Sequence, residues 1–156
     1  MAAGFSLEPD KLEAFTDFVC DHVAKQVHEA QINVTLDVDS VLSVSGVSVD
    51  LAKMLEQHIG PFGQGFEEPL FMLKNVRINS ADVLGQKHVR VMVSDWEGGS
   101  RMKAMAFGAV GSAMGDAFLK QGKQAFHLLG HIKVNRWQGR ESAEFHIKDA
   151  VANNPS

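Results

Sequence analysis

Residues 88–107 read HVRVMVSDWEGGSRMKAMAF. Val89, Val91 and Val93 alternate with His88, Arg90 and Met92; beyond the turn DWEGGS, Ala104 and Ala106 alternate with Arg101, Lys103, Met105 and Phe107. A period of two marks a strand, because successive side chains leave a pleated backbone on opposite sides. The spacing predicts strands at 88–95 and 101–107. Each has one apolar face and one basic face set with soft or aromatic residues.

Working outward, the same period predicts a strand at 70–84 and, further on, strands at 124–136 and 141–150 joined by the turn WQGR. Helical spacing places a helix at 109–120 between them. Strand–strand–strand–helix–strand–strand is the order of an OB-fold, a five-stranded Greek-key β-barrel with a helix between its third and fourth strands. The predicted class is therefore α+β.

Upstream, SLEPDKLEAFTDFVCDHVAKQVHEA opens with Ser6 as N-cap and carries Leu12, Phe15, Phe18, Val19, Val23 and Val27 at helical spacing, predicting a helix over about 8–30. INVTLDVDSVLSV reads as a strand, and SVDLAKMLEQHIG as a short helix that Gly60 ends. Then comes GPFGQGFEEP, residues 60–69. A phosphate-holding loop leads glycine N–H groups straight into a helix, usually with Lys and Ser or Thr behind them. Here Phe66, Glu67 and Glu68 follow, and then the apolar run from Leu70 to Leu73. The stretch reads as a boundary built of tight turns. The expected organisation is a helix-and-strand segment at 1–60, a connector at 61–69, the barrel at 70–152 and a disordered tail at 153–156.

A composition of 45% hydrophobic and 22% charged residues is that of a soluble globular protein. No apolar run approaches the roughly 18 residues that cross a bilayer, and the start has no basic leader, so a cytoplasmic protein with no membrane partner is expected. The one cysteine, Cys20, has no internal disulfide partner; within FTDFVCDHV it reads as a core thiol. The net charge of −4 conceals an asymmetry. Residues 1–68 hold three bases against twelve acids, and residues 69–156 twelve bases against seven acids. A basic second half suits a polyanion; the competing account is an uneven scatter of solvated charge.

OB barrels bind across their second and third strands and through the loops joining strands one to two and four to five. Here those loops are NSADVLGQK and RWQGRE. The candidate nucleic-acid contacts are Arg90, Arg101, Lys103 and Phe107 from strands two and three, Lys133 from strand four, and Arg136, Trp137 and Arg140 from the second loop. Single-stranded nucleic acid needs this mixture, since charges track phosphates while rings stack on bases. Trp137 could instead cap the barrel as a buried hydrophobe, Trp96 shares that ambiguity, and Phe107 could pack beneath the following helix. His127, His131 and His146 lie on facing predicted strands but lack any Cys or His-Glu-x-x-His companion pattern, so they read as surface or half-buried side chains. A two-metal phosphoesterase needs several converging carboxylates and histidines. The sequence displays none, so no catalytic residue, metal or cofactor is expected in this chain, and alone it is expected to be inactive.

With these residues in view, the chain resembles the RecJ family of bacterial single-stranded-DNA-specific exonucleases. MAAGFSLEPDKLEAF resembles the segment following the Gly-Gly-His signature of that family's DHHA1 domain, LEQHIGPFGQGFEEPLFMLKNVRI its junction into the OB domain, and VNRWQGRESAEFHIKD its final hairpin. The likeness runs from about Ala2 to Val151; Phe66-Glu67 stands where an Asn-Pro pair is common. The resemblance implies that residues 1–60 close a DHHA1 domain and that the barrel binds single-stranded DNA. It further implies a whole protein that is a 5′-to-3′ exonuclease of recombination and repair, with Mn²⁺ or Mg²⁺ in a DHH domain absent from this sequence, and a nuclease core as partner. A protein-docking module of the same nuclease, scarcely touching DNA, is the alternative.

Overall fold

The structure, a computed structural model, describes residues 11, 13, 14, 16–18, 20, 21, 36–58, 67–120 and 123–153. The connector glycines, Ser6, most of the first helix's apolar stripe and the tail beyond residue 153 lie outside the described residues. Contacts divide the chain into two units, Met1–Leu36 and Asp37–Ser156. In the first, the described residues from 13 to 21 are helical, and Cys20 is exposed rather than a core thiol. Cys20 sits one position past Val19, about 100° round a helix from the stripe read in the sequence.

The second unit holds β1 (Ser40–Leu42), a single 3₁₀ turn (Val44–Gly46), α1 (Val49–His58), β2 (Phe71–Leu84), β3 (His88–Asp95), β4 (Arg101–Ala106), α2 (Ala113–Leu119), β5 (Ala125–Trp137) and β6 (Arg140–Asn153). β2, β3 and β4 form an antiparallel meander, β4 lies parallel to β6, β6 is antiparallel to β5, and β5 returns to β2. The result is a closed five-stranded barrel, the expected OB-fold. β2 serves two neighbours because it is bent: Asn75 takes a φ of 50° where the β2–β5 register shifts, so the strand's first half pairs β5 and its second half β3. The β4–β6 seam is the shortest, with only Ala104↔Phe145 and Met105↔His146 in register.

The barrel interior is filled by the apolar face of each strand. Leu73, Val76, Val89, Val93, Ala104, Ala106, Leu128 and Phe145 are wholly buried. One end is plugged by α2, whose buried Phe118 meets Phe126 edge to face at 5.4 Å. This helix starts four residues later than its spacing suggests, since Gly111 at φ 81° turns the chain and Ser112 caps the first turn by accepting from Gly115 N–H. Gly115 must stay bare, because a Cβ there would lie 1.9 Å from the Ala109 carbonyl oxygen.

The other end is closed by the 3₁₀ turn and α1. Val44 and Ala52 are buried there, and Val44 N–H donates to Asp95 Oδ1 at 3.0 Å. Among the described residues, the strand expected from INVTLDVDSVLSV is reduced to Ser40–Leu42, which adds in parallel to β2 opposite Phe71–Leu73. The barrel unit thus begins at Asp37, earlier than the period of two alone suggests, because β1 and Val44 belong to its sheet and its core.

Candidate nucleic-acid interface

The outer surface follows from the register. Arg90 stands opposite Met105 and Met92 opposite Lys103, so the basic and soft residues of β3 and β4 share one face. Met105↔His146 carries that face onto β6, and the pairs His131↔His146, Lys133↔Glu144 and Trp137↔Arg140 carry it onto β5. Arg101, Lys103 and Arg140 are exposed and, among the described residues, have no carboxylate partner. Arg90 is half-buried, with Nη2 3.4 Å from Asp82 Oδ2 on β2. Lys133 pairs with Glu68. A groove of about 480 Å³ runs beside Arg101 and Lys103, walled by Val44–Val49 and by Glu141–Ala143.

At the hairpin tip, Gln138 and Gly139 have φ of 49° and 76°, the paired positive values of a two-residue type I′ turn. The turn matches the twist of β5 and β6 and holds Trp137 out at 71% exposure. Basic groups flanking an exposed ring can follow a phosphate chain while the ring stacks.

A family model described as the RecJ OB domain matches residues 38–149. The chain belongs to the RecJ OB domain family. Among curated relatives it is 30% identical over 149 residues to the single-stranded-DNA-specific exonuclease RecJ of Salmonella typhimurium, covering 96% of this chain and 25% of that protein. It is 29% identical over 147 residues to RecJ of Escherichia coli K12, covering 94% and 24%. The chain therefore spans about a quarter of the relatives it matches. RecJ of Thermus thermophilus, solved in complex with Mn²⁺, shares the fold with a TM-score of 0.60 at 20% identity, over 98% of this chain and 20% of that one. The Mg²⁺ complex of that RecJ gives 0.59 at 19% identity.

In this RecJ OB domain one expected contact lies elsewhere, and two alternatives that the sequence left open are decided. Arg136 does not join the outer face. It points toward α1, with Nη2 2.7 Å from Glu56 Oε2, Nη1 3.2 Å from Glu56 Oε1 and Nε 3.3 Å from Glu141 Oε1. Lys53 of α1 closes the cluster on Glu141. The hydrogen bond from Arg136 holds the Glu56 carboxyl below its usual value, that from Lys53 does the same for Glu141, and the Arg136 value is raised in return. Arg136 is one residue out of phase with Trp137 along the strand, which sends it to the opposite side.

Phe107 is not packed under α2 but is 55% exposed, because it keeps the outward phase of β4 and α2 begins only at Ala113. Its ring meets His88 at 5.2 Å and His146 at 4.9 Å, both edge to face. Trp137 does not cap the barrel; Val44 and α1 already fill that end. Trp96 is half-buried under the Arg77 guanidinium, 4.8 Å from its ring centre.

The histidines are structurally engaged. His127 Nδ1 accepts from Asn75 N–H at 3.2 Å, His131 Nδ1 donates to the Pro69 carbonyl at 2.9 Å, and His146 Nε2 donates to Glu144 Oε2 at 3.0 Å. Among the described residues, no three of His, Cys, Asp and Glu come together as a metal-ligand group, so these residues do not fit the divalent ions found with the T. thermophilus protein. The sequence reading missed Lys53 and Glu56 as anchors of the hairpin. Their only local signal is a spacing that puts them on adjacent turns of one side of α1, while the partner strand is 80 residues away.

Proposed function

We propose that this chain is the single-stranded-DNA-binding part of a RecJ-like 5′-to-3′ exonuclease acting in DNA recombination and repair. Residues upstream of Asp37 would end its DHHA1 domain, while a DHH domain elsewhere in the whole protein would hold Mn²⁺ or Mg²⁺ and perform hydrolysis. The nuclease core is then the intramolecular partner, and the setting is cytoplasmic. Among the described residues no helix is long and apolar enough to cross a membrane.

The observation that carries this reading is the outer face itself. Exposed Arg101, Lys103 and Arg140, with no carboxylate partner among the described residues, share it with a Trp137 that is 71% exposed. Charge with stacking surface is what a flexible polyanion of bases requires. Arg90 adds a fourth cation, held among the described residues by a long contact to Asp82.

Four phosphate contacts at about −0.7 each give log K against log salt a slope near −3 for oligo-dT binding. A titration from low to moderate salt measures it. A flat slope overturns the reading in favour of a docking module, since apolar docking releases no counterions.

A further inference from the structure

Beside Phe107 lies a pocket of about 180 Å³, lined among others by Glu68, His131, Lys133, His146 and Lys148. Its walls have fixed polarity. Because the Pro69 carbonyl can only accept, His131 carries its proton on Nδ1 and, when neutral, keeps Nε2 as an acceptor. His146 donates from Nε2 to Glu144 and, when neutral, keeps Nδ1 as its acceptor. His88 accepts from Gly108 N–H at Nδ1, which fixes the second ring that meets Phe107. Lysine ammonium groups add donors on the same wall.

The Phe107 ring is thus half-exposed and braced on two sides, next to a recess that offers both donors and acceptors. A flat heteroaromatic with a polar edge matches these demands. A phosphate does not, since Glu68 lines the site and the Glu144 carboxylate holds the His146 ring beside it. Exposed Lys103, opposite Met92 on the same face, is free for a phosphate outside the pocket.

We propose that this pocket takes one nucleobase of the bound single strand, stacked on Phe107 and hydrogen-bonded at its edge by His131 and His146. The proposal rests on the single-strand reading above and names a base subsite within it, apart from the Trp137 hairpin.

The test pairs protein variants with two probes, oligo-dT and an abasic oligomer of equal length. Phe107→Leu, which keeps apolar bulk without the ring, is expected to weaken oligo-dT binding by roughly 5- to 150-fold, the equivalent of one lost stack. It should leave abasic binding unchanged, and Phe107→Tyr should restore oligo-dT binding. Equal losses on both probes, or no loss on either, overturn the pocket while leaving the strand reading intact. Failure of the unaltered chain to bind either probe overturns the strand reading and the subsite with it.

Discussion

Trp137 and Trp96 differ in what their removal exposes. Trp137 projects from a turn whose geometry comes from Gln138 and Gly139, so Trp137→Ala leaves no cavity. Its stability should stay within about 0.5 kcal/mol of the parent, the usual range for a surface change. Oligo-dT affinity should fall by about 1–3 kcal/mol, together with most of the tryptophan quenching. Trp96 is half-buried beneath Arg77, so Trp96→Ala should cost stability, and because the stacking account does not require that turn to touch DNA, it should spare affinity. Thermal melts and fluorescence titrations on one preparation of each variant decide the matter. A large fall in melting temperature for Trp137→Ala would show that the ring supports the fold.

At the scale of elements, α1 is tied to the β5–β6 hairpin by Arg136, Glu56, Glu141 and Lys53. Folded Glu56 and Glu141 titrate below the usual value of 4.5. A carboxyl depressed in the folded state contributes stability above its unfolded value and loses it as pH falls through the folded value. The tie should therefore be complete above about pH 4.5 and dissolve on further acidification. Glu56→Gln should lower the melting temperature slightly at neutral pH. That difference should shrink in acid and in high salt, because all four groups are solvent-facing. A difference that persists unchanged in acid would refute the ionic account.

The strands were legible because one buried face stamps a period of two on the sequence. β3 falls on the expected 88–95, and β4 and β5 lie within one residue of their expected ends. β1 was not legible in its true extent or place, since parallel addition to a strand some thirty residues away leaves no mark on local period. The outer-face bases could be read by phase, whereas Arg136 needed knowledge of what α1 brings to the barrel end. The alternation of Lys103, Met105 and Phe107 carried the outward phase of Phe107, and the helix that follows begins too late to cover it.

For the molecule as a whole, the charge contrast between its halves places the bases mostly in the barrel strands and the acids mostly before them. Hydrolysis of a phosphodiester by paired ions needs several ligands converging on two ions about 4 Å apart. Among the described residues no such group exists. The purified chain should accordingly release no mononucleotides from labelled single-stranded DNA in Mn²⁺ or Mg²⁺. Its melting temperature should be the same in either ion as in EDTA at matched ionic strength. Chelator-sensitive digestion that scales with protein would overturn this.

The short seam between β4 and β6 gives the barrel a preferred place to breathe. Two register pairs hold it, against thirteen between β5 and β6, so excursions that part β4 from β6 cost less than any that part the long hairpin. Amide hydrogen exchange should report this as faster turnover at Met105 and His146 than at the centre of β5. A polynucleotide lying across Lys103 on one strand and Trp137 on the next hairpin would span that gap like a suture. Protection gained along the seam on adding oligo-dT, and lost on abolishing strand binding, would make the barrel's own fluctuations a readout of occupancy.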